Sequence, residues 1–349
     1  MIKLRTALLT AFGLLLASLA SAQNFPKATL LALSKRDHTL SIVDPVSLKV
    51  LAKAPVGNDP HEVIASSDGK TAYVSNYGFG AFNTLAVIDL VAQKPLDSID
   101  LGPLRGPHGL DFVGGKVWFT AEGAKAIGRY DPVANKVDWI LGTGQNRTHM
   151  ISVADDMKRI VTTNVSSGTV SIIDRTAGGP AGPPPTGAPS GPPPMRAPGG
   201  DWDETVVKVS AGSEGFDISP NGKEIWVANA HDGTISIINA SSKNVSETLQ
   251  ANVRGANRLK FTPDGTRVLV TSLGAPDVVV LDASTRKELK RIKVGHGAAG
   301  LLMQPDGSRA FAACTPDNYV AVIDLKSLEV TGHIDVGPEP DGLAWSVMH

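Results

Sequence analysis

The sequence predicts an all-β ring built from one repeated unit. Three observations carry that prediction: a recurring strand ending, its constant spacing, and chain ends that complement one another. The strand ending is apolar-apolar-Asp, seen as Ser41-Ile-Val-Asp44, Ala86-Val-Ile-Asp89, Gly128-Arg-Tyr-Asp131, Ser171-Ile-Ile-Asp174, Ser236-Ile-Ile-Asn239, Val279-Val-Leu-Asp282 and Ala321-Val-Ile-Asp324. Successive copies lie 45, 42, 43, 65, 43 and 42 residues apart, so one copy carries about 22 extra residues and the rest agree closely. Units of this length, each holding four short strands, are the blades of a β-propeller, and seven copies predict seven blades.

Each copy divides into strands A to D, counted outward from the axis. In the second copy these are His61–Ser66, Thr71–Asn76, Thr84–Leu90 and Leu96–Leu101. Turn chemistry marks their ends. In Ile218-Ser-Pro-Asn-Gly-Lys223 the proline presets φ, and Asn-Gly tolerates the positive φ of a tight hairpin. A lone four-stranded sheet leaves both faces apolar, and stacking blade on blade covers them. The first strand, Ala28–Ser34, resembles a B strand with no A strand before it, whereas Asp341–Val347 is an A strand with nothing after it. The last strand is therefore expected innermost in the first blade, closing the ring and removing an open edge.

Tyr73-Val-Ser-Asn76, Trp226-Val-Ala-Asn229, the turns Thr262-Pro-Asp-Gly265 and Gln304-Pro-Asp-Gly307, and the strand ends Val294-Gly295 and Val336-Gly337 resemble the YVTN family of β-propeller repeat proteins. The resemblance covers essentially the whole chain after its first residues. It implies the fold and no particular activity.

Met1–Ala22 places Lys3 and Arg5 before an apolar run from Ala7 to Leu19 and ends in Ala20-Ser-Ala22, the pattern of a secretory signal cleaved before Gln23. The run is short for a membrane anchor, no later apolar span exists, and residues 23–349 are expected as one secreted or periplasmic domain, a monomer. With Lys3 and Arg5 removed from the 33 basic residues, 31 remain against 34 acidic ones, a balance that does not favour nucleic acid. A single cysteine, Cys314, allows no internal disulfide and is expected as a small core residue. The Pro/Gly-rich stretch 177–203 has little to bury and is expected as a disordered insertion in the C–D loop of blade four, a tolerated expansion more than a docking arm. Three Asn-x-Ser/Thr triplets, at Asn146, Asn164 and Asn244, are short enough to arise by chance.

Every blade aims the start of its A strand at one axial channel. Counting back 15 residues from the last position of the tetrad gives His61, His149, Glu214, Asn257 and Ala299; Gly106-Pro-His108 aligns with Asp59-Pro-His61, and the closing strand supplies Asp341. His61, His108 and His149 on adjacent blades form a candidate metal set for zinc or copper. Polar residues also fill such positions wherever a channel is wet, and no HxH or HExxH spacing constrains the geometry. Arg105, Arg147, Arg254 and Arg258 fall nearby and, with Asn257 and Asp341, make a candidate site for a small anionic molecule, unless the arginines pair with Glu62, Glu214 and Asp341. Asn76, Asn164 and Asn229, and the repeated aspartates at the C-strand ends, are expected to serve the turns.

The function expected from these features is binding or scaffolding: a small anionic ligand, a metal or a protein partner held at the histidine-bearing mouth. The alternative is an enzyme. Similar seven-bladed propellers include lactonases, which implies His149, Glu214 and Arg258 as a hydrolytic set, and copper oxidoreductases, which implies the three histidines as ligands. The chain matches neither pattern in full. An adhesive protein working through its outer edges is a third class. Haem, nucleotide and flavin chemistry lack their motifs: there is no CxxCH, no P-loop and no glycine-rich strand-to-helix turn.

Overall fold

A computed structural model of the chain describes residues 26–176 and 200–349. The signal segment and the greater part of the Pro/Gly-rich stretch lie outside the described residues. Short runs of Val, Ile, Leu, Thr and aromatic residues separated by Gly, Asn and Asp give strands of five to eight residues. In chain order they are β1 (Ala28–Ser34), β2 (Thr39–Val43) and β3 (Val50–Pro55) of blade 1, then β4 (Pro60–Ala65), β5 (Thr71–Asn76), β6 (Thr84–Asp89) and β7 (Lys94–Asp100) of blade 2. Blade 3 holds β8 (Pro107–Val113), β9 (Lys116–Ala121), β10 (Ala126–Asp131) and β11 (Lys136–Gly142), and blade 4 holds β12 (Thr148–Val153), β13 (Arg159–Asn164), β14 (Thr169–Arg175) and β15 (Trp202–Lys208). Blade 5 comprises β16 (Ser213–Ile218), β17 (Glu224–Asn229), β18 (Ile235–Asn239) and β19 (Asn244–Leu249). Blade 6 comprises β20 (Ala256–Phe261), β21 (Arg267–Ser272), β22 (Asp277–Asp282) and β23 (Glu288–Lys293). Blade 7 comprises β24 (Ala298–Met303), β25 (Arg309–Cys314), β26 (Tyr319–Asp324) and β27 (Glu329–Ile334), and β28 (Pro340–Val347) ends the chain.

These strands make seven four-stranded antiparallel sheets, the seven-bladed propeller expected. Ring closure follows the expected route. β28 pairs with β1, from Ala28 opposite Val347 to Ser34 opposite Pro340, so blade 1 is completed by the last strand.

Each strand feeds two interfaces because successive side chains point to opposite faces. On β1, Leu31 and Leu33 pack with Val63, Val74 and Ile88 of blade 2, whereas Leu30 and Ala32 pack with Phe311, Val320 and Val322 of blade 7. Seven apolar clusters recur in this way among the described residues, one at each junction of neighbouring blades. B and C strands are thus buried on both faces, as in Arg159–Asn164 and Thr169–Arg175, while outer strands such as Lys136–Gly142 alternate with solvent. Cys314 is fully buried in the junction of blades 6 and 7, and burial pushes its thiol up to about 12. It is the core residue expected.

The repeated aspartates act as turn residues. Asp89 accepts from the N–H groups of Val91 and Ala92, Asp282 from Ser284 and Thr285, and Asp324 from Lys326 and Ser327. Asp174, next to the long insertion, departs from this pattern and takes Arg159 and Lys243 instead. One boundary is corrected: the insertion expected over 177–203 runs too far, because Trp202 and Asp203 already pair with Arg175 and Asp174. Trp202 holds the strand start by packing on Trp139, ring centroids 5.3 Å apart.

Candidate functional site

Register shifts set the site. Every A strand breaks step with its B strand just where the channel residue sits: between Pro60 and Val63, Pro107 and Leu110, Thr148 and Ile151, Ser213 and Phe216, Ala256 and Leu259, Ala298 and Gly300, and beside Pro340 in β28. A bulge re-aims a side chain and frees a backbone N–H. In four blades a hydroxyl at the third position of the tetrad satisfies that group: Glu62 N–H donates to Ser75, Gly109 to Thr120, Met150 to Thr163 and Arg258 to Thr271. Thr120 and Thr163 in turn donate to the carbonyls of His149 and Glu214 on the following blade. The channel residues of successive blades are thereby fixed to one another through their backbones.

The three histidines stand in a row. His61 and His108 have ring centroids 5.1 Å apart, His108 and His149 3.9 Å, and the Tyr77 ring lies 4.8 Å from His61 and 5.2 Å from His108. His149 is clasped between two carboxylates, its Nδ1 2.5 Å from Glu122 Oε1 and its Nε2 2.9 Å from Glu214 Oε2. The second oxygen of Glu122 accepts from Tyr77 at 2.5 Å and lies 3.5 Å from Arg147 Nε. Burial alone would push the His149 pKa down, but its bonds to Glu122 and Glu214 outweigh burial and raise it. With a carboxylate at each nitrogen, the ring is placed to donate from both when it is protonated. Burial likewise opposes ionisation of Glu214, yet His149 and the arginines 147 and 258 bring it down to about 2. His108 goes the other way. Burial, followed by the cationic His149, lowers it well below the usual histidine range, so its ring is neutral. Its buried Nδ1 has no hydrogen-bond partner among the described residues.

His61 belongs to a neighbouring group. Its Nε2 is 3.0 Å from Lys35 Nζ and its Nδ1 3.4 Å from Asp59 Oδ1, and Lys35 also reaches Asp341 at 3.3 Å. The donor atoms that come within 4.8 Å of one another belong to His108, Glu122 and His149, all buried. The expected trio of histidines is thus brought together as rings, but the convergent donor set replaces His61 with Glu122.

The expected arginine cluster divides. Arg147 and Arg258 reach the centre, and both are paired, Arg147 with Glu122 and Glu214, Arg258 with Glu62. Arg105 is exposed and makes no side-chain ion pair among the described residues, and Arg254 lines a rim groove with His231 and Asp232 between blades 5 and 6. Asn257 donates to the Ala299 carbonyl at 2.9 Å. Asn164 and Asn229 bridge their B–C turns to Thr169 and Thr234, whereas Asn76 bonds the carbonyls of Val56 and Asn58 in the preceding connection.

Glu122, Tyr77, Lys35 and Glu62 complete the site; of these only Glu62 was expected, as a partner for the arginines. A signal for three of them exists: Lys35, Tyr77 and Glu122 each follow the last residue of a B strand, the turn that shares a face with the A-strand starts.

Solved structures share this architecture. A functionally unknown protein from Desulfotomaculum acetoxidans DSM 771 superposes with a TM-score of 0.72 at 15% identity, over 91% of this chain and 98% of that one. Hydrazine synthase from Kuenenia stuttgartiensis gives 0.67 at 18% identity over 85% and 92%, and a proposed 6-phosphogluconolactonase from Bacteroides fragilis NCTC 9343 gives 0.70 at 15% over 91% and 97%. At these identities the likeness is one of fold. No protein-family model matches the chain, and no curated protein does.

Proposed function

We propose that the chain is an exported, monomeric propeller of the YVTN kind that captures a divalent transition-metal ion, zinc or copper, at the mouth of its channel. The observation that carries this reading is the buried, convergent donor set of His108, Glu122 and His149, with one imidazole nitrogen lacking a partner among the described residues. Two imidazoles and a carboxylate suit these metals and leave coordination positions open. The His149 nitrogen that now donates to Glu122 would become a ligand on losing its proton. Its other N–H would stay on Glu214, the carboxylate contact that orients many metal-binding histidines. Tyr77 and Arg147 hold the free oxygen of Glu122 in place.

Neither other use of the mouth has equal support. An anionic guest needs free cations, and Lys35, Arg147 and Arg258 are all paired with carboxylates. Hydrolysis by His149, Glu214 and Arg258 needs a free base near neutrality, but both nitrogens of His149 are taken by carboxylates and Glu214 is ionised down to about 2. The test is elemental mass spectrometry and calorimetric titration of the untagged protein with zinc and copper, beside a His108→Ala/Glu122→Gln variant. About one equivalent bound by the wild type and none by the variant is the expected outcome. Equal binding by both proteins, or no uptake by either, would refute the proposal.

A further inference from the structure

Below the mouth the channel is interrupted by an ion pair. Glu62 of blade 2 and Arg258 of blade 6 meet across the axis, 196 residues apart in sequence. Both stand immediately after the channel position, where four other blades have glycine: Gly109, Gly215, Gly300 and Gly342. At those four a Cβ would come within 2.2–2.5 Å of the next blade's backbone oxygen, so a side chain fits this layer only where the blades leave room. The pair forms a floor for the mouth and a roof for what lies beneath.

Beneath it is a cavity of about 410 Å³ walled by the inner strands, chiefly by Ile64, Leu110, Met150, Leu302, Leu343 and Trp345. All six are only partly buried, so they wall an open space, shared with the polar groups of Glu62, Asp111, Ser152, Asp217, Arg258 and Lys260. Its size and lining are those of a small-molecule site. The other polar groups are mostly engaged. Asp111 accepts from Val153 N–H, and Asp217 from Phe261 N–H and from Lys260. Arg258 is different: it lines the chamber, is 8% exposed, and its buried Nη1 has no partner among the described residues.

We infer that this chamber is a second binding site, for a neutral apolar molecule carrying one hydrogen-bond acceptor, such as a ketone or ester carbonyl, at the end that meets Arg258. Neutrality follows from the charge already around the guanidinium. Glu62 is in direct contact, and the carboxylates of Asp341 and Glu214 also act on it. A ligand carboxylate would enter as a further negative charge in a space of low dielectric, whereas a carbonyl satisfies the donor without that cost.

The test uses the metal-free full chain and the fluorescent naphthyl ketone prodan, whose emission moves to the blue in an apolar site. Its naphthoate and propylnaphthalene analogues serve as the charged and hydrocarbon comparisons. Saturable binding of one prodan is expected, tighter than that of either analogue. Leu302→Trp, which fills the chamber, should abolish it with the melting temperature retained. The paired change Glu62→Leu/Arg258→Met removes the donor without leaving a lone charge and should weaken prodan about tenfold while leaving the hydrocarbon unaffected. No saturable binding, tighter binding of the carboxylate, or a Leu302→Trp protein that still binds would each overturn the inference.

Discussion

The mouth has two arcs with the same backbone and different chemistry. In blades 1 to 4 the channel positions carry Asp341, His61, His108 and His149, and three of the four turns that follow the B strands add Lys35, Tyr77 and Glu122. Their side chains meet one another in the centre. In blades 6 and 7 the corresponding groups are turned to the backbone: Asn257 donates to the Ala299 carbonyl, and Thr315 to that of Pro340. Seven equivalent positions therefore do not make seven equivalent sites. The fold supplies geometry at every blade, and chemistry arises where adjacent blades place complementary groups in both the A-strand start and the B–C turn.

The sharpest way to break this contrast is His149→Leu. It leaves Glu122 and Glu214 buried without their shared cation and should cost about 3–5 kcal/mol in denaturant unfolding. A similar loss from Asn257→Ala would mean that the two arcs do not differ.

Stability of the wild type should also depend on pH at the first arc and at Glu214 of blade 5 beside it. Glu214, depressed from 4.5 to about 2, contributes stability that is complete above its unfolded value and lost as pH falls through its folded one. His149, raised above 6.5, contributes stability that is complete below that value and lost as pH rises through its folded pKa. Denaturation midpoints should thus peak between these limits. A midpoint that does not fall as pH rises through 6.5 and beyond would show that His149 is not clasped as an imidazolium.

A smaller loss is expected from Thr120→Val, which strips the partner from the bulge N–H of Gly109 and from the His149 carbonyl, about 1–3 kcal/mol by the same measurement. At the other arc, Asn257→Ala should cost only about 1 kcal/mol and leave metal uptake unchanged.

Much of the fold was legible because the repeat states it seven times. The apolar-apolar-Asp ending marks each C strand, and the unpaired terminal strands announce closure. Part of the site was legible for the same reason, since counting from the tetrad reaches His61, His149 and Glu214. Glu122 was not. It sits in Ala121-Glu-Gly-Ala124, a stretch that resembles any surface turn, and its importance comes from three partners 25 to 45 residues away. Glu62 was legible as a partner for the arginines, but its meeting Arg258 across the axis was further out of reach, because no local pattern links blades on opposite sides of a ring. Its one trace is that glycine recurs at that position and is replaced at Glu62, Met150 and Arg258.

The closing strand has a consequence for how the protein comes into being. β28 completes blade 1 by pairing with β1, and in the same eight residues it delivers Asp341, the carboxylate that Lys35 reaches beside His61. Until β28 has docked on β1, neither the circle nor that corner of the mouth exists. A product that lacked β28 would expose the inner edge of blade 1 and lack the acid, and so would be conspicuous to proteases.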